Sequence, residues 1–161
     1  HQEKPIETKP EKSVKVEEKT IEKKKIEPIE SIKNETSVRI CLLHSEQIKK
    51  KLGINGIPTH VCSWQCKKDP QTGVEGAQVD LVIDKGSLGV VLCEMRFYED
   101  DYALSEKDEK DFARRRSSFR LVTKIKKPTQ TVLVTTYGIV KNKYAGIVNA
   151  VVTADDLFAQ I

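Results

Sequence analysis

Gln78-Val79-Asp80-Leu81-Val82-Ile83-Asp84, followed across Lys85-Gly86-Ser87-Leu88-Gly89 by Val90-Val91-Leu92-Cys93-Glu94-Met95-Arg96-Phe97-Tyr98, is the stretch on which the fold turns. Both runs are rich in β-branched and apolar residues, and the segment between them carries two glycines, so they read as a β-hairpin. Side chains alternate along a strand. Gln78, Asp80, Val82 and Asp84 are therefore expected on one face, with Val79, Leu81 and Ile83 on the other. On the second run Val90, Leu92, Glu94, Arg96 and Tyr98 share a face, and Val91, Cys93, Met95 and Phe97 share the opposite one. A register that sets Gln78 and Asp80 against Glu94 and Arg96 gathers an amide, two carboxylates and a cation on a sheet otherwise made of Val, Leu and Ile. Charges buried in this way must be paired, metal-bound or both.

Outward from the hairpin, Ile40, Leu43, Ile48 and Leu52 line one side of a helix that stops at Gly53, and Gly53-Ile54-Asn55-Gly56 reads as a turn. A short strand follows from His60 to Trp64. Lys67 to Ala77, with Pro70, Gly73 and Gly76, reads as a loop. Downstream, Ser105-Glu106-Lys107-Asp108 resembles a capping box, and a long helix is expected from about 106 to 126, broken by Pro128. Thr131 to Tyr137 and Ile147 to Val152 read as further strands, and Thr153-Ala154-Asp155-Asp156 starts a terminal helical turn. Helix, three strands, helix, one or two strands and a short helix make an α/β domain, a mixed β-sheet flanked by helices.

The folded domain is expected over residues 37–161. Residues 1–36 hold nine Lys and nine Glu, three Pro, and only seven apolar side chains, all Ile or Val. So little apolar area does not offset the entropy of ordering the segment, and it reads as a disordered charged tail or linker. The formal net charge of +4 then belongs entirely to residues 37–161, an excess that permits a phosphate-bearing partner without arguing for one. Nothing approaches an apolar run of about 18 residues, so no membrane span is expected. The chain opens at His1 rather than Met, which reads as a fragment boundary or processed end. Cys41 and Cys93 sit in apolar runs where free Cys is ordinary, and a reducing, cytoplasmic setting is the simpler reading.

Two chemistries suit Asp80, Glu94 and Arg96. One is a structural ion pair in which Arg96 neutralises a carboxylate. The other is a hard-cation site, since paired carboxylates on adjacent strands offer the oxygen ligands that Mg²⁺ or Mn²⁺ takes, with water and substrate phosphate completing the shell.

Gly76 to Asp84, followed by Cys93-Glu94-Met95-Arg96-Phe97, resembles the PD-(D/E)XK nuclease superfamily. It looks most like the nuclease-like domain at the C-terminus of many prokaryotic AAA-type ATPases. The likeness extends over about residues 38–161 through Leu42-Leu43-His44, Gln47 to Lys50, Leu52-Gly53-Ile54, Ser63-Trp64, Thr135 to Gly138 and Val152 to Phe158. It implies a restriction-endonuclease-like αβββαβ core and a magnesium-dependent hydrolase acting on DNA phosphodiesters. Carried over, Asp80 and Glu94 bind Mg²⁺ or Mn²⁺, Arg96 takes the place of the motif Lys, and Gln78 is an accessory polar group. Two departures follow. Arg cannot act as a general base near neutral pH. Ser37-Val38-Arg39-Ile40 also stands where the family tends to place a first-helix Glu. The alternative is a catalytically disabled module that binds DNA, or docks an ATPase domain or subunit or another protein partner.

Other signals are weaker. His60, Cys62 and Cys66 lack a fourth zinc ligand, and His44 has no identifiable partner. No G-x-x-x-x-G-K-[ST] pattern is present, so ATP hydrolysis by that means is not expected. Arg114, Arg115 and Arg116 with Arg120, Lys124, Lys126 and Lys127 form the densest basic run. Arg115, Arg116, Arg120, Lys124 and Lys127 are the candidate contacts to a DNA backbone, with residues 116, 120, 124 and 127 as a helical stripe; a solvated helix face is the competing reading.

Overall fold

The structure, a computed structural model, describes the backbone of residues 29–161 and the side chains from Glu35 onward. The charged tail falls mainly outside these residues. Helix α1 (Ile29–Leu43) runs through Glu35 and Thr36 and so crosses the expected boundary at Ser37. Helix α2 (Ser45–Lys51) follows directly. The single helix expected to end at Gly53 is thus two, interrupted at His44, whose φ of −107° and ψ of 19° leave the helical region. The remaining elements are β1 (His60–Cys66), β2 (Ala77–Asp84), β3 (Val90–Arg96), α3 (Glu106–Thr123), β4 (Thr129–Thr135), β5 (Ala150–Thr153) and α4 (Ala154–Leu157).

The five strands form one sheet in the order β1-β2-β3-β4-β5. β1, β2 and β3 are a meander of antiparallel neighbours, whereas β3–β4 and β4–β5 are parallel. A parallel neighbour requires a crossover, and α3 provides it between β3 and β4. The sheet is therefore mixed and flanked by helices, as the element order predicts. Leu81, Ile83, Val91, Cys93, Met95, Val132, Val134 and Val152 pack with Cys41, Ile48 and Leu157 from the helices on one face. On the other face Val79, Val82, Val90 and Leu92 pack with Phe119 of α3, whose ring meets Trp64 edge-on at 5.1 Å. No described helix is long and apolar enough to cross a membrane.

The expected alternation along β2 fails at one point. Val79 packs with Val82 rather than with Leu81 and Ile83. The cause is an irregular register between β1 and β2: Cys62 faces Val82 and Trp64 faces Val79, so β2 carries one residue more than β1 across that interval. Such a bulge reverses the side-chain phase of the residues before it. β3 keeps the expected alternation, with Val91, Cys93 and Met95 on one face and Val90 and Leu92 on the other.

The β2–β3 connection depends on glycine. Gly86 has φ 63° and Gly89 φ 106°, and a Cβ on Gly89 would lie 2.5 Å from the Pro128 carbonyl oxygen, which accepts the Val90 N–H at 2.8 Å. Gly86 has open space around it. Gly86→Ala should cost about 1 kcal/mol through its backbone conformation alone. Gly89→Ala should cost about 2–3 kcal/mol or more, because strain and a backbone clash combine. Urea denaturation of the two variants checks the order; equal losses would contradict it.

Candidate active site

The β2–β3 ladder is recorded from Asp84↔Val90 to Leu81↔Cys93. Just beyond its last pair the backbone N–H of Met95 donates to Oδ2 of Asp80 at 3.0 Å. The Asp80 side chain thus satisfies a β3 donor while being only 5% exposed. Glu94, 1% exposed, lies at the adjacent position of β3. Its Oε2 accepts from Nη1 of Arg115, which reaches in from α3 and donates also to the Gln78 carbonyl at 3.1 Å. Arg96 Nη1 donates to the Met95 carbonyl at 2.8 Å, and its guanidinium lies 5.4 Å from the centre of the Phe112 ring.

Asp80, Glu94 and Arg96 are therefore neighbours, but the contacts of Arg96 run to Met95, Phe112, Asp108 and Asp111 rather than to either carboxylate, and Gln78 contributes its backbone oxygen, to Arg115. Burial pushes both carboxyls above their ordinary values. For Asp80 the Met95 N–H and the charges of Arg115 and Arg96 oppose the rise without cancelling it. Glu94 is pushed up to about 8, burial outweighing the Arg115 charge and the neighbouring Asp80 adding to the rise.

Sequence reasoning missed the contribution of α3. Ser105 and Asp108 form the expected capping box: the Ser105 N–H and hydroxyl donate to Asp108 Oδ2 at 2.9 and 2.8 Å. The same carboxylate also receives the Tyr102 hydroxyl at 2.9 Å, and its Oδ1 lies 3.7 Å from Arg96 Nε. One turn on, Asp111 faces three guanidinium groups, 2.8 Å from Arg114 Nη2, 3.6 Å from Arg115 Nη2 and 3.9 Å from Arg96 Nη2. Burial pushes Asp111 up, yet the Arg114 hydrogen bond and the three arginine charges hold it below the usual range. Arg114 Nη1 in turn donates to the Gly76 carbonyl. Asp108 to Asp111 and Asp111 to Arg115 are the i,i+3 and i,i+4 spacings of one helix face. That periodicity was the available signal.

The proposed basic stripe is corrected by the same helix. Arg115 points inward to Glu94. α3 ends at Thr123, because Lys124 adopts φ 57° and its N–H closes the helix on the Arg120 carbonyl. Residues 116, 120, 124 and 127 consequently do not continue along one helix. Arg120 donates to the Lys127 carbonyl at 3.3 Å, and the Lys127 ammonium pairs with Asp84 at 2.8 Å. Arg116 is half-buried and Lys124 is exposed.

Among the described residues, α1 brings no third carboxylate to the pair. The buried Cys41 thiol is the group there that Asp80 and Glu94 influence, and burial together with those charges pushes it up, keeping it neutral. Among the described residues no group of three or more His, Cys, Asp or Glu is arranged to hold a metal. Zinc binding by His60, Cys62 and Cys66 has no such arrangement; all four cysteines are free, with Cys41 and Cys93 buried.

No protein-family model matches the chain, and no curated protein matches it. A crystal structure described as "Protein of Unknown Function AF1548" aligns with 72% of this chain at 17% identity, with a TM-score of 0.44. This chain spans 56% of that protein's length. A likeness this distant carries no argument about activity.

The shift at Glu94 has a measurable consequence. In the unfolded chain its value is near 4.5, so between roughly pH 5 and pH 8 the folded chain holds a proton that the unfolded chain has lost. Stability should be fullest below this window and fall as pH rises through it, by at most about 1.4 kcal/mol per pH unit. Urea denaturation across the window, with chelator present, should show that fall, and Glu94→Gln should flatten it. A flat wild-type profile would mean that Arg115 compensates Glu94 completely.

Proposed function

We propose that the chain carries a PD-(D/E)XK nuclease-like domain whose role is metal-dependent hydrolysis of DNA phosphodiesters. The observation that supports this reading is the pairing of two buried carboxyls, Asp80 and Glu94, where the β2–β3 ladder stops. Burial pushes Glu94 up to about 8 although Arg115 is in contact with it. Two carboxylates are an ordinary protein contribution to Mg²⁺ when water and substrate phosphate complete the shell. Asp80 and Glu94 would hold Mg²⁺ or Mn²⁺. The bound ion supplies Lewis-acid activation of the phosphate and of the attacking water. Arg96, fixed over Phe112 and beside Asp108, presents a permanent positive charge to the phosphoryl oxygens. It cannot take a proton from water, so that proton must leave to solvent or to another group.

A second reading has its own support. The Arg115 contact to Glu94 and the absence of a three-ligand group among the described residues favour a disabled module that binds DNA or docks an ATPase domain or another protein. Calorimetric titration of Mn²⁺ and Mg²⁺, followed by plasmid cleavage under binding conditions, separates the two. The nuclease reading expects binding and cleavage in the wild type, with both lost in Asp80→Asn and Glu94→Gln. Arg96→Lys, which restores the motif's titratable cation, should raise cleavage by roughly tenfold or more. Metal binding with no cleavage in either the wild type or Arg96→Lys would establish the disabled module. An absence of metal binding would make the cluster a structural ion network.

A further inference from the structure

Beside the carboxyl pair, between the end of β3 and the first half of α3, lies a cavity of about 300 Å³ lined by Arg96, Lys107, Arg115, Tyr102, Asp108 and Asp111 among others. Three cations and two carboxylates line it, and one of the cations, Arg115, also contacts Glu94. Each guanidinium uses Nη1 outside the cavity, on the Met95 carbonyl for Arg96 and on Glu94 and the Gln78 carbonyl for Arg115, and leaves its other edge without a close acceptor. Arg96 Nε and Nη2 stand 3.7 and 3.9 Å from the nearest carboxylate oxygens, and Arg115 Nη2 stands 3.6 Å from its own. These are ion pairs longer than a hydrogen bond. Asp108 is already saturated by Ser105 and Tyr102, and Asp111 makes its short contact with Arg114. Arg115 Nε is buried with no hydrogen-bond partner among the described residues. Guanidinium edges left without close acceptors in a partly enclosed cavity match a tetrahedral oxyanion, which can accept from several donors at once.

We propose that this cavity is a phosphate-binding subsite in which Arg96, Arg115 and Lys107 grip one phosphate group. Its position next to Asp80 and Glu94 makes that group a backbone phosphate of the bound strand, neighbouring the one to be cleaved, with Arg96 shared between the two. The strand assignment rests on the nuclease reading; capture of the phosphate does not. Lys107, in the first turn of α3, is the component that can be altered without touching the buried network.

Inorganic phosphate titrated into the full chain in excess chelator, followed by calorimetry, tests the subsite without any turnover. Saturable binding is expected, weakened roughly tenfold by Lys107→Glu and at least as much by Arg96→Gln. Circular dichroism verifies that each variant is folded, and Lys107→Glu keeps the test decisive where Arg96→Gln fails to fold. A wild type that binds no phosphate saturably, or a folded Lys107→Glu that binds it unchanged, overturns the proposal. Displacement of a fluorescent DNA duplex by phosphate then supports the strand assignment. Phosphate that binds without displacing DNA overturns that assignment and identifies free phosphate as the occupant. Absence of DNA cleavage in the presence of phosphate binding would defeat the nuclease reading alone.

Discussion

The contact between the Glu94 carboxyl and the Arg115 guanidinium joins α3 to the sheet. A carboxyl at position 94 lies within a sheet core of Val, Leu and Ile, and a buried group of this kind is tolerable only with a partner in place. The partner comes from α3, twenty-one residues away in sequence. The helix must therefore sit at one height and one rotation against the sheet. Ser105 and Asp108 fix its start, Phe119 against Trp64 fixes its far half, and Lys124 stops it in a left-handed turn. Removing Arg115 alone would leave the Glu94 carboxyl without its neighbour, whereas replacing both by apolar residues would not incur the same penalty.

A second constraint acts on the other carboxyl. The extra residue of β2 against β1 changes the phase of that strand just where Asp80 occurs. Asp80 then satisfies a backbone donor of β3, in place of a main-chain oxygen. Two neighbouring carboxyls thus have different environments: one is bonded to the main chain, and the other is bonded to a guanidinium. Inequivalent partners of this sort separate the behaviour of chemically similar groups.

Much of this architecture was legible. The hairpin was marked by two apolar β-branched runs about a glycine-containing turn, and α3 by its capping box. Glu94 and Arg96 shared a face because β3 alternates without interruption. What escaped were features set by non-local geometry. No local pattern announces the bulge near Asp80, since it depends on the pairing of β2 with β1. Arg115 looked like one cation among many on a charged helix, and only the docking of α3 distinguishes it from Arg116. Asp108 was legible only as part of the capping box and Asp111 carried no signal of its own, although one bridges Ser105, Tyr102 and Arg96 and the other faces three arginines. The break at His44 was hidden because Ile40 and Ile48 both reach the core region, on α1 and α2 in turn.

The spatial order of the five strands is also their order along the chain. No strand has to be inserted between two that are already paired, so the sheet can grow by addition at one edge as the chain emerges during synthesis. In such a sequence of events the β1–β2–β3 meander, built from near neighbours, closes first, and it already contains both carboxyls. Until α3 has been synthesised and docked, Glu94 can stay hydrated on β3, an open edge of a three-stranded sheet. Its desolvation then coincides with the arrival of Arg115, and it does not have to be buried alone on the way to the native state.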